Sequence, residues 1–194
     1  MSASIGRRAP EARRNAVIEA ARALFVESGQ ENTTVDAIAR RAGVAKGTVY
    51  LYFPSKSHIA QAIEEQFNAR VLTRVQAAAR EAVAAGHPPA VAWCGALIEA
   101  YLDELDTHDM LFTGRPQTRD AVDPLLDDLT ALLAAQGHPD PERVAAFLLG
   151  GTTLLADRAI ATDSRIDAGE LTHVLVALDE TVGVTRTQNT EPSR

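Results

Sequence analysis

Two apolar stripes of helical period are crowded between Thr33 and Pro54, and a glycine separates them. Thr33 followed by Asp36 reads as a variant capping box, and it opens a helix with the stripe Val35, Ile38, Ala39 and Ala42. Gly43 stops that helix after about two turns. A second short run, Ala45 to Phe53, ends before Pro54, and Ser55 is suited to cap whatever follows. In front lies a longer segment, Pro10 to Ser28, with Val17, Ala21, Leu24 and Phe25 on one face. Pro10 suits its first turn, and Gly29 suits a left-handed residue at its end.

This pattern leaves few ways to pack. Val35, Ile38, Ala39, Val44, Val49 and Phe53 are expected to face inward against Leu24 and Phe25. Ala39 is small enough for close helix approach, and Gly43 accepts the backbone of a tight turn. Two short helices at a glycine turn, braced by a third, form a helix-turn-helix, which leaves the second short helix free to enter a DNA major groove.

The remaining chain reads as helices too. Ile59, Ile63, Phe67, Val71 and Val75 continue one long helix from Ser55 towards Gly86, and His87-Pro88-Pro89 breaks it. A fifth helix spans roughly Ala90 to Asp106, followed by a loop or short helical turn from His108 to Thr118. Three more are expected at about Asp120–Gln136, Pro141–Ala161 and Asp167–Thr181. No alternating run suggests a sheet, and alanine and leucine outweigh the 5% of aromatic residues, so the fold class is all-α. The expected domains are a head at 1–54, a body at 55–184 and a polar, disordered tail at 185–194.

Charge sharpens this division. The net charge of −7 is unpromising for nucleic acid, but residues 1–56 alone carry +4 and the rest −11, as a basic reading head on an acidic body would. The longest uncharged apolar stretch, Val144 to Ala156, is too short to span a bilayer, and no secretory h-region opens the chain. Cys94 is the only cysteine. A cytoplasmic protein without membrane association is expected. His58, His87, His108, His138 and His173 are scattered, with no H-x-x-x-H pair, phosphate loop or nucleophile elbow. No enzyme activity, metal or cofactor is therefore expected.

The run TTVDAIARRAGVAKGTVYLYFPSKSHI at 33–59, preceded by AARALFVESG at 20–29, resembles the signature of the TetR family. The likeness covers about fifty residues and includes T-V-x-x-I-A, A-G-V, G-T-V-Y and Y-F, while the rest of the chain agrees only in length and helix count. It implies an N-terminal DNA-binding domain and a C-terminal bundle for ligand binding and dimerisation. It also implies a repressor, released from a palindromic operator in double-stranded DNA by an unknown small-molecule effector. On that footing Lys46 reaches a base edge or phosphate, and Gly47 lets the backbone approach DNA. Thr48 suits phosphate or thymine, Tyr50 and Tyr52 offer phenol hydroxyls, and Lys56 and Thr34 sit at helix starts suited to phosphate. Arg40 and Arg41 lie on the solvent side, and the pairs Arg7/Arg8 and Arg13/Arg14 are candidates for a minor-groove arm or phosphate clamp. Ala45 departs from the family's frequent serine, a lost cap costing about 1 kcal/mol.

A single short recognition helix reads few base pairs, so a homodimer is expected. Its interface is assigned to the over-apolar helix with Gly150, Gly151 and Leu154, and to Leu171, Val174, Leu175 and Leu178 on the last helix. The resemblance places an effector pocket among Trp93, Leu97, Tyr101, His108, Met110, Phe112, Leu125, Leu129, Phe147 and Arg158. Asp103, Glu104, Asp106 and Asp109 either favour a cationic ligand or form a solvated face. The alternative is a regulator without a small-molecule inducer, and a collapsed body core would favour it.

Overall fold

The computed structural model describes residues 5–112 and 119–162, all as α-helices and their connections. In chain order these are α1 (Ile5–Ser28), α2 (Val35–Ala42), α3 (Lys46–Tyr52), α4 (Lys56–Ala85), α5 (Pro89–Asp103), α6 (Leu105–Phe112), α7 (Arg119–Ala135) and α8 (Pro141–Thr162). There is no strand among the described residues. The expected helix at 167–181 with Leu171, Val174, Leu175 and Leu178, the tail at 185–194 and His173 lie outside the described residues.

The chain divides into two compact units: residues 1–69 with 106–117, and residues 70–105 with 118–194. In the first, the head, α2 and α3 are eight and seven residues long, too short to persist in water alone. Burial holds them. Val17, Ile18 and Phe25 of α1, Ile38 of α2, Val49 of α3 and Ile59, Ile63 and Phe67 of α4 are all essentially inaccessible. Gly43 sits at φ 68°, and the amides of Gly43 and Val44 donate to the carbonyls of Arg40 and Ala39, so a Schellman turn closes α2.

The structure corrects three sequence expectations. The cap of α2 is Thr34, whose Oγ1 accepts from the Ala37 amide at 3.2 Å. The Thr33 hydroxyl instead turns back to the carbonyls of Leu24 (3.2 Å) and Gly29 (2.9 Å) at the end of α1, where helical donors run out. Helix α1 begins at Ile5, with Pro10 inside it, so Arg7 and Arg8 belong to a helix and not to an extended arm. The segment after α5 is the separate helix α6, and from residue 106 it belongs to the head: the Arg22 guanidinium donates to the buried Thr107 hydroxyl at 3.3 Å, and the His108 ring lies 6.2 Å from that of Phe67.

The body unit is organised around Trp93, Cys94 and Leu97 of α5, Leu125, Leu129 and Leu133 of α7, and Ala145, Leu148, Leu149, Thr152 and Ala156 of α8. Burial pushes the Cys94 thiol up to about 11, opposed by a hydrogen bond with Thr152. Arg70 is bidentate on Glu104 (2.9 and 2.6 Å), and Arg74 bridges Asp103 (2.5 Å) and Glu99 (3.2 Å), which pins α4 to α5. These pairs also separate the acidic set. Asp103 and Glu104 are neutralised in the body, while Asp106 and Asp109 belong to the head.

Candidate nucleic-acid interface

Helix α3 divides its residues cleanly. Val49 is wholly buried and Phe53, just beyond the helix, is 3% exposed; both anchor the inner face. Lys46, Gly47, Tyr50 and Leu51 are exposed, and their i, i+1, i+4, i+5 spacing makes one continuous outer face. Thr48 and Tyr52 are half-buried at its margins. Ala45 occupies the N-cap position with no side-chain hydrogen bond. Gly47 meets no atom within 4 Å of where a Cβ would stand, so nothing inside the protein demands glycine there.

The cations of the head are less available than their number suggests. Lys46 Nζ lies 2.9 Å from Asp36 Oδ2, and that partnership raises the ammonium pKa above its ordinary value of 10.5. Lys56 Nζ donates to the carbonyls of Gln30 (2.5 Å), Glu31 (3.1 Å) and Thr33 (3.0 Å). All three of its donors are thereby used to brace the α1–α2 connection, and none is left for a phosphate. Arg41 pairs with Glu27 at 2.7 Å, Arg22 with Glu19 at 3.0 Å, and the Arg14 guanidinium lies 5.2 Å above the Phe53 ring. Thr34, exposed, accepts its capping bond and keeps its hydroxyl proton to give. Arg13 and Arg40 are exposed.

Leu51 escapes a reading that looks for polar contacts. It is 78% exposed on the outer face of α3, and an apolar side chain there suits a thymine methyl. Its signal is positional, four residues after Gly47 and two after the buried Val49.

The expected pocket residues differ in burial and in the unit they belong to. Trp93, Leu97, Tyr101, Leu125 and Leu129 are core, at most 3% exposed. His108 and Met110 belong to the head; Met110 and Leu111 line a small cavity of about 210 Å³ there with Gln30, Ser57, Gln61 and Glu64. Phe147 and Arg158 are exposed on α8, and the side chain of Phe112 lies outside the described ones. A groove of about 430 Å³ lies between α4 and α7, lined by Gln76, Ala79, Arg80, Val83, Asp128, Ala131 and Leu132. Its wall is fixed by the Asp128 carboxylate, which accepts from Gln76 Nε2 (2.6 Å) and Trp93 Nε1 (2.8 Å). The spacing i, i+3, i+4, i+7 from Gln76, and i, i+3, i+4 from Asp128, is the signal that would have found it.

On α8, Ala146, Phe147, Gly150, Gly151 and Leu154 form an exposed stripe at helical spacing, with Phe147 64% and Leu154 69% exposed. No described helix is long and apolar enough to cross a membrane.

A head of two short helices at a glycine turn, with a solvent-facing second helix, joined to a separate all-helical body, defines a DNA-binding transcriptional regulator of the helix-turn-helix class. Residues 17–63 match the profile of bacterial regulatory proteins, tetR family, and the chain is 30% identical over 177 residues to the HTH-type transcriptional repressor KstR of Mycobacterium tuberculosis, covering 82% of this chain and 78% of that protein. The chain belongs to the TetR family. Among solved structures of similar fold is NalD, the secondary repressor of the MexAB-OprM multidrug efflux pump in Pseudomonas aeruginosa (TM-score 0.66, 20% identity, 92% of this chain and 99% of that one). The multidrug binding protein EbrR, complexed with imidazole, is another (TM-score 0.62, 22% identity, 86% of this chain and 89% of that one).

Proposed function

We propose that the protein is a non-enzymatic, homodimeric repressor that holds a palindromic operator through α3 and releases it when an organic effector occupies the body. The observation that carries this reading is the outer face of α3, where an exposed lysine, a glycine without packing duties, a tyrosine and an exposed leucine share one surface. Thr34, Lys46, Gly47, Thr48, Tyr50 and Tyr52 are its DNA-facing residues, with Leu51 added. The open apolar stripe on α8 supports pairing with a second copy, because large hydrophobic side chains beside two glycines suit close helix contact.

Effector control is supported by the α4–α7 groove, whose volume suits a small organic molecule and whose apolar wall carries a few fixed polar groups. Such a molecule acts only if it binds the DNA-free arrangement better than the DNA-bound one. KstR and NalD are repressors by name, and EbrR is a multidrug binding protein.

The test begins with selection of a binding site from a randomised duplex library, followed by footprinting. A two-fold symmetric footprint abolished by Leu154→Glu, with the variant sedimenting as a monomer, is the expected result. An asymmetric site bound with full affinity by a monomer would overturn the dimer reading.

A further inference from the structure

We infer that Asp36 withholds Lys46 from DNA phosphates and so holds down the sequence-independent affinity of the head for DNA. Its position makes this possible. Asp36 stands in the first turn of α2, two residues after the Thr34 cap, and Lys46 is the first residue of α3. Their side chains meet across the gap between the two helices at 2.9 Å, while both remain more than half exposed. The pair therefore lies on the solvent side of the helix-turn-helix, beside the outer face of α3, and not in its core.

Two consequences follow for a duplex approaching that surface. Lys46 arrives with its charge already balanced, so a phosphate must compete with Asp36 for the ammonium. The carboxylate itself also repels the phosphate backbone. Neither penalty depends on base sequence, so both fall on every duplex alike. A correct site offsets them through contacts that random DNA does not supply, from the rest of the α3 face. The effect is to hold down the sequence-independent part of the affinity, so that only a duplex making the further contacts of the α3 face is bound tightly. Three other head cations act in the same sense, with Arg41 held by Glu27, Arg22 by Glu19 and Lys56 by three carbonyls.

Asp36 differs from Glu19 and Glu27 in one respect: its partner is on the recognition helix itself. It is also separable from folding. The α2 cap is supplied by Thr34, so Asp36→Asn keeps the shape and the cap while removing the charge.

The inference rests on α3 being the DNA-facing helix, and the experiment separates the two. Full-length wild type, Asp36→Asn, Lys46→Met and the double variant are titrated against a random-sequence duplex by fluorescence anisotropy, between about 50 and 200 mM salt. Asp36→Asn is expected to tighten random-duplex binding roughly three- to tenfold and to steepen the log–log salt slope by about one for each head in contact, about two for a dimer engaging both, the signature of one additional phosphate contact per head. In the Lys46→Met background the change in slope should vanish. Thermal unfolding of each variant checks that the head is intact.

If Asp36→Asn leaves affinity and slope unchanged while wild type binds normally, the inference fails and the DNA-facing reading stands. An equal gain with and without Lys46 also overturns it, since Asp36 then acts only through its own charge. If adding Lys46→Met to the Asp36→Asn variant alters neither affinity nor slope, α3 is not the contacting surface and both fall together.

Discussion

Replacing Gly47 by alanine should raise the stability of the protein and lower its affinity for DNA, two effects that normally travel together in the opposite sense. Gly47 is the second residue of α3, it is not among the glycines with positive φ, and no atom lies within 4 Å of a Cβ built there. An added methyl therefore meets no resistance within the protein and removes the entropic cost of a helical glycine. That cost is roughly 0.5–1 kcal/mol, and the lower figure suits a first-turn position. For a chain of this size the gain corresponds to a rise in Tm of about 1–4 °C. On DNA the same methyl occupies the space through which the backbone of α3 approaches the groove, and a loss of tenfold or more, about 1.4 kcal/mol, is expected. Thermal unfolding followed by far-UV circular dichroism measures the first effect, and anisotropy titration on a selected operator the second. Greater stability with unchanged affinity would show that nothing approaches Gly47, and lower stability would show that the glycine serves the fold after all.

The remaining expectations concern the head and the one thiol. Gly43→Ala should destabilise the protein by about 1–2 kcal/mol in urea titration, because φ 68° penalises a Cβ even though the space around it is open. Lys56→Met should lower stability by about 1–3 kcal/mol, since the carbonyls of Gln30, Glu31 and Thr33 lose their shared donor; a stability-neutral variant with weakened DNA binding would return Lys56 to the interface. Cys94 should resist alkylation in the folded protein. Its thiol is raised from 9.0 to about 11, so the folded state keeps a proton that the unfolded state loses: its contribution is complete below pH 9 and fades as pH rises towards 11. Cys94→Ala should remove that component of the alkaline loss.

What was legible in the sequence was local. The Gly43 turn, the buried face of α2 and the i+4 stripe from Ile59 depend on near neighbours, and the chain states them directly. Thr33 and Thr34 show the limit, since either hydroxyl fits the cap in sequence; the carbonyl of Leu24, nine residues away, decides between them. Lys56 was less legible because its three acceptors lie 23 to 26 residues upstream. The α4–α7 groove was not legible for a related reason. Large apolar residues such as Trp93 and Leu129 go where packing is tightest, whereas a groove needs small and polar residues from two faces, here brought together across 52 positions by Gln76 and Asp128. A helix apolar almost all round, like α8, carries no sign of which side faces in. Phe147 turned outward while Leu148 went to the core.

Trp93 gives the molecule an optical property of its own. It is the only tryptophan in the chain, it is fully buried, and its indole N–H is bonded to a carboxylate that lines the α4–α7 groove. Its emission therefore reports on the body alone, while the far-ultraviolet signal sums over every helix. Melting curves recorded by the two signals will superimpose if head and body unfold as one cooperative unit, and will separate if they do not. A molecule entering the groove and disturbing Asp128 will change the emission directly, so effectors can be screened on the unlabelled, unmodified protein.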